Sequence, residues 1–194
     1  MNAVLPNRPF GRAVDPNERP IVIDRRGFPV DVSGDRWELN EPTSKIVLDW
    51  SVLALRNVEI ENAFKRYFGW LITTQSPVSV RNAFHFLPCF TRTAAFRAAE
   101  DASIAIPYLA FSEASAALKK ADRWKLHYAR QLYRWCEAQG YPHFDFEVSC
   151  RLDDLVIGGN TKGQAVRSKN PNKGPLDAQE VASLTNALRA ARLT

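Results

Sequence analysis

NVEIENAFKRYFGWLITTQSPVSVRNAFHFLP, residues 57–88, decides the class of fold. Ile60, Phe64, Tyr67 or Phe68, and Leu71 recur at spacings of three and four, which marks a helix burying one stripe. Lys65 and Arg66 point elsewhere. Ser76-Pro77 then supplies a capping hydroxyl and a proline at the first helical position, where a missing N–H costs nothing. Behind it Val80, Phe84 and Leu87 form a second apolar face, while Arg81 and His85, four apart, share another. Pro88 is expected to end or kink this helix, because it lacks the N–H and clashes with the preceding turn.

Downstream, TRTAAFRAAEDAS reads as a short, irregular helix and Ser112 as the cap of SEASAALKK. Asp122 is expected to cap the longest helix, DRWKLHYARQLYRWCEAQG, with Trp124, Tyr128, Leu132 and Trp135 or Cys136 toward the core. Lys125, Arg130 and Arg134 lie off that stripe, and Gly140 supplies a left-handed stop. FEVSCRLDDLVI reads either as one more short helix or as a packed extended piece. Upstream, IVIDRRGFPVDV predicts a hairpin around an Asp-Arg-Arg-Gly turn. GDRWELNEPTSKIVLDW continues in extended or irregular form, with Trp37, Leu39, Val47, Leu48 and Trp50 as anchors on the core. The expected fold is mainly α. An arm occupies residues 1–50, a helical domain 51–157, and a basic linker 158–174, and a capped amphipathic helix spans 175–194.

That linker, GGNTKGQAVRSKNPNK at 158–173, holds four basic residues and no acid. Between Arg56 and Arg134 there are twelve Arg or Lys against six Asp or Glu. The whole chain of 194 residues carries a net charge of +5 and a pI of about 9.3, so a polyanionic partner is expected. Phosphate recognition needs donors that reach the backbone without burying charge. The candidates are Lys65, Arg66, Arg81, His85, Arg92, Lys125, Arg130 and Arg134 on the helices, with Lys162, Arg167 and Lys169 on the linker.

Other chemistries find little support. Cys89, Cys136 and Cys150 have no CxxC or Cys/His spacing and read as buried reduced thiols. His85, His127 and His143 are isolated in sequence, so no metal site is expected. No phosphate loop, GxSxG elbow or kinase signature occurs, and the expectation is no active site, no cofactor and no small-molecule substrate. The N-terminus lacks an apolar h-region and no apolar run approaches membrane-spanning length, so a cytoplasmic protein without a membrane partner is expected.

The order of elements resembles the N-terminal portion of phage-type site-specific integrases, the tyrosine recombinase family. The residues that carry this are LDWSVL at 48–53, Ser76-Pro77-Val78-Ser79-Val80-Arg81-Asn82, and YARQLYRWCEAQGYP at 128–142. The linker and PLDAQEVASLTNAL at 175–188 complete the pattern. The resemblance implies a four- or five-helix SAM-like core-binding domain on double-stranded DNA, with other recombinase subunits as partners there and a nucleoid-associated location. The final helix then looks like the opening of the family's catalytic domain, a Leu-Thr-x-x-Glu pattern with Asp177 in place of Thr. The family's catalytic Arg, Lys, His and Tyr set has no counterpart here, since the residues after Lys173 include no His, Lys or Tyr. The expectation is therefore DNA binding without cleavage or joining by this chain. The competing expectation is a helical protein–protein interaction module without DNA affinity.

Overall fold

The computed structural model describes residues 20–41, 44–155, 157, 183 and 185. The chain divides into two units, residues 1–157 and 158–194. Of the second, Ser183 and Thr185 are described; both are helical and exposed. The linker and its Lys162, Arg167 and Lys169 lie outside the described residues.

Among its described residues the first unit is mainly helical, with two β-hairpins ahead of six helices. In the first hairpin β1 (Ile21–Ile23) pairs antiparallel with β2 (Pro29–Asp31), and Val22 and Val30 face inward. The expected Asp-Arg-Arg-Gly turn is built by Asp24, whose carboxylate accepts from the Arg26 and Phe28 amides at 2.8 and 2.9 Å. Gly27 closes it at φ +92, a conformation that side chains with a Cβ disfavour.

Residues 34–50, expected to be extended or irregular, form a second hairpin. Here β3 (Arg36–Asn40) pairs with β4 (Lys45–Asp49) so that Trp37 faces Leu48 and Leu39 faces Ile46. All four are buried, and the period of two fixes the register. Val47 was expected to be an anchor, but it falls on the outer face opposite Glu38, and Ile46 takes its place. A 3-10 turn, Trp50–Leu53, follows. It is started by Asp49, whose carboxylate accepts from the amide and hydroxyl of Ser51. Trp50 plants this arm in the bundle, with ring centroids 5.0 Å from Trp37, 5.5 Å from Phe68 and 5.2 Å from Phe84. Residues 20–50 are therefore part of the core rather than a separate appendage.

Helix α1 (Val58–Thr74) is the longest. Its cap is Asn57, whose side chain accepts from the amides of Glu59 and Ile60, and Ile60, Phe64, Tyr67, Phe68 and Leu71 are buried as expected. Buried Glu100 accepts from the amides of Arg56 and Asn57 and pairs with Arg97, which ties the entry of α1 to the next layer. Helix α2 (Pro77–Thr91) begins at Ser76, whose hydroxyl accepts from the Ser79 amide at 3.2 Å. Pro88 does not end it. The helix runs on to Thr91 because Phe90 packs 5.3 Å from Phe96 and 4.6 Å from Phe111, and that burial outweighs one lost backbone bond.

Helix α3 (Ala94–Ala102) is regular rather than irregular, with the Thr93 hydroxyl accepting from the Phe96 amide at its start. Helix α4 (Tyr108–Ala117) starts after Pro107, so Ser112 sits within it and caps nothing. Asp122 likewise caps no α-helix. It lies in a 3-10 turn, Lys120–Lys125, and pairs with Lys125, while α5 (Leu126–Ala138) begins after that turn. The buried stripe of α5 is Leu126, Ala129, Leu132, Tyr133 and Cys136; Tyr128 and Trp135 are half-buried and pack against the core, and Trp124, in the preceding turn, is half-buried. Gly140 (φ +72) closes α5 as expected, its amide donating to the Glu137 carbonyl and that of Tyr141 to Cys136. Buried His143 follows, with its ring nitrogens 3.1 Å from the Ile104 carbonyl and 3.0 Å from the Glu59 carboxylate. Helix α6 (Phe146–Asp153) is capped by Asp145, which decides the open reading of this stretch in favour of a helix.

Candidate nucleic-acid interface

The second helix supplies the most coherent cationic feature. At 100° per residue, Arg81, His85 and Arg92 fall within about 40° of one another on its outer side. That side is free because Val80, Phe84 and Leu87 commit the opposite one to the core. His85 and Arg92 are exposed and Arg81 is half-buried. Among the described residues, none of the three has a carboxylate within ion-pair distance, whereas Arg56, Lys65, Arg97, Lys125 and Arg134 of the helical region do. Arg92 donates only weakly, at 3.4 Å, to the Val52 carbonyl.

The remaining candidates are not gathered onto this line. Lys65 is clamped between Asp35 at 2.7 Å and Glu61 at 2.6 Å. Burial alone would lower its pKa, but hydrogen bonds to these two carboxylates outweigh that and raise it. Arg66, its neighbour, turns to a different flank of α1 and lies beside the Tyr141 hydroxyl. Lys125 pairs with Asp122 at 2.8 Å, and Arg134 with Asp153 at 3.1 Å. The guanidinium of Arg130 donates to the carbonyls of Leu152 and Leu155, so it closes the end of α6. These four side chains, Lys65, Lys125, Arg130 and Arg134, are engaged in holding the fold.

Three exposed cations lie outside the sequence-derived set. Lys119, Lys120 and Arg123 are exposed in and just before the 3-10 turn, without carboxylate partners among the described residues. Arg123 lines a small concavity with Tyr108, Phe111 and Ser112 of α4. Burial pushes the Cys89 thiol pKa up, and Lys125 of the turn pulls it back. In the sequence Lys119-Lys120 and Arg123 fall at the end of one expected helix and the start of the next, where they show no common face. The thiols also differ from expectation, since Cys136 is buried but Cys89 is half-buried and Cys150 exposed.

A second concavity, about 600 Å3, crosses the outer face of α5 between the α1–α2 corner and α6. Trp70, Trp135 and Tyr128 line it, Tyr67 forms part of its floor, and among the described residues Arg134 is its only arginine or lysine. Among the described residues, no cluster of His, Cys, Asp and Glu is placed to hold a metal ion, and no helix is long and apolar enough to cross a membrane. No protein-family model, curated protein or solved structure matches the chain.

Proposed function

We propose that the helical unit is a DNA-binding module that holds duplex DNA through its phosphates. The outer line of α2, Arg81, His85 and Arg92, is its centre. The observation that supports this is the contrast in pairing. Lys65, Lys125 and Arg134 carry their own counter-charges, so a polyanion gains little by displacing them. An exposed cation without a carboxylate delivers the full gain of counterion release when it meets a phosphate. Arginine adds a fork that fits two phosphate oxygens, and His85 has a ring N–H to donate in either protonation state.

The resemblance to the N-terminal part of tyrosine recombinases supports the same reading and sharpens it. On that reading the unit clamps recombination-site DNA, with other recombinase subunits beside it, and localises with the nucleoid. The test is a fluorescence anisotropy titration of the full chain against labelled duplexes of unrelated sequence, at two salt concentrations. The expected result is binding at low salt that weakens steeply as salt rises, by similar factors for each sequence. Absence of binding at low salt, or affinity indifferent to salt, defeats the proposal.

A further inference from the structure

The concavity that Arg123 lines has a volume of about 280 Å3 and is built from three elements. Tyr108, Phe111, Ser112 and Ser115 come from α4, Arg123 from the 3-10 turn, and Leu155 from just beyond α6. At 100° per residue, Tyr108, Ser112 and Ser115 fall within about 60° of one another along α4. Buried Phe111 adds an apolar wall beside that line. Arg151 of α6 lies over the Tyr108 ring, its guanidinium carbon 4.4 Å from the ring centroid.

The polar groups here can all donate, and none is engaged. Among the described residues, neither Arg123 nor Arg151 has a carboxylate within ion-pair distance, and the hydroxyls of Ser112 and Ser115 have no hydrogen-bond partner. No Asp or Glu among the described residues lines the concavity. Glu113, between the serines in sequence, is committed elsewhere, because its carboxylate accepts from the Ala95 amide at 2.9 Å. Glu147, one helical turn before Arg151, makes no ion pair with it. A guanidinium stacked on a ring keeps its N–H groups in its own plane, free to donate outward.

Two free guanidinium groups call for more than a carboxylate, whose two oxygens a single fork already satisfies. A phosphate monoester presents three acceptor oxygens and nearly two negative charges, enough for both arginines and the hydroxyls together. The volume lies at the lower edge of the roughly 300–1,000 Å3 of small-molecule sites, so it admits a phosphate with one ring system rather than a length of polymer. A nucleotide supplies both parts. We propose that this concavity binds a nucleotide by its terminal phosphate. Arg123, Arg151 and the Ser112 and Ser115 hydroxyls hold the phosphate, and Phe111 and Leu155 pack against the nucleoside. The site shares no residue with the α2 line, and its ligand differs from the singly charged phosphodiesters inside a duplex.

Isothermal titration of the full chain with adenosine monophosphate tests this, with adenosine and inorganic phosphate as the two halves of the probe. The nucleotide should bind at least about tenfold more tightly than either half. Arg123→Ala and Arg151→Ala should each weaken it by about tenfold, the loss of one charge-assisted contact. Both arginines are exposed, so these variants keep the fold. Arg81→Ala/Arg92→Ala should bind the nucleotide as wild type does, which separates this result from duplex binding. No binding, equal affinity for adenosine, or an affinity unmoved in Arg123→Ala/Arg151→Ala overturns the proposal. So does a loss in the α2 variant, which assigns the nucleotide to that line. Competition with duplexes identifies the source: displacement by a 5′-phosphorylated duplex alone points to a strand end, and displacement by neither to a free nucleotide. Equal displacement by phosphorylated and unphosphorylated duplexes also overturns the proposal, since internal phosphodiesters then fill the site.

Discussion

Trp50 is the residue at which the two hairpins and the helical bundle become one core, and substituting it tests that statement quantitatively. Its ring meets Trp37, Phe68 and Phe84 edge-on and is 4% exposed. Truncation to alanine removes all three contacts and leaves a cavity, so Trp50→Ala should lower the unfolding free energy by about 3–5 kcal/mol. That is a large share of the roughly 5–15 kcal/mol that holds a domain of this kind together. Trp50→Phe should behave quite differently. It opens a gap of roughly 40 Å3, which at ~24 cal/mol per Å3 costs about 1 kcal/mol. It also removes an indole N–H that is buried without a partner, and an unmet buried donor of that kind itself costs about 1–3 kcal/mol. The two nearly cancel, so Trp50→Phe should lie within about 1 kcal/mol of wild type. Urea denaturation followed by far-ultraviolet circular dichroism gives both values, provided the slope m is unchanged. A Trp50→Ala loss below about 1 kcal/mol would mean that the arm is not part of the core. A Trp50→Phe loss as large as that of alanine would mean that the indole N–H makes a bond the core depends on.

Other substitutions follow from single interactions. Arg130→Ala removes the donors at the Leu152 and Leu155 carbonyls and should cost about 1–3 kcal/mol in urea denaturation, with DNA affinity nearly unchanged. Ser76→Ala should destabilise by ~1 kcal/mol and Ser76→Gly by only a few tenths, since glycine is itself a tolerated cap; thermal denaturation separates them. Burial would raise the Asp24 pKa, but the Phe28 and Arg26 amides and the Arg26 guanidinium outweigh it and hold it below the ordinary value. Because the folded pKa is the lower one, the resulting stability is present above about pH 4 and is lost as pH falls through the folded value. Urea midpoints measured from pH 5 downward should show this loss, and Asp24→Asn should flatten it.

Helical periodicity was legible wherever one face of an element is wholly apolar, as for Ile60, Phe64 and Leu71 or for Val80, Phe84 and Leu87. Caps were legible where hydroxyl and proline stood together, at Ser76-Pro77. They were misread at Ser112 and Asp122, polar residues of the capping type that serve other ends: one lies within α4, the other pairs with Lys125. The β3–β4 hairpin was obscured because its inward set, Trp37, Leu39, Ile46 and Leu48, is split by a turn without the Asn-Gly or Asp-Gly signal of a tight hairpin. In α5 the aromatic residues drew the expected stripe toward Trp124, Tyr128 and Trp135. The buried face instead runs through Ala129 and Tyr133, whose hydroxyl donates to the Ile106 carbonyl and accepts from the Asp145 amide. The candidate site was legible only as residue types. Spacing along a helix identifies a shared face, as for Arg81 and His85, but it does not reveal which cation has a carboxylate across from it in space. Asp35 lies thirty positions before Lys65, and no local pattern connects them.

The central claim, that the unpaired line on α2 and not the paired cations contacts phosphate, is tested most directly by the salt dependence of DNA affinity. Each phosphate contact contributes about 0.9 to the slope of log affinity against log salt concentration. Arg81→Ala/Arg92→Ala should therefore lower that slope by about two, while Lys65→Ala/Arg134→Ala should leave it nearly unchanged. The opposite ranking, with the slope held by the α2 variant and lost in the other, would contradict the account.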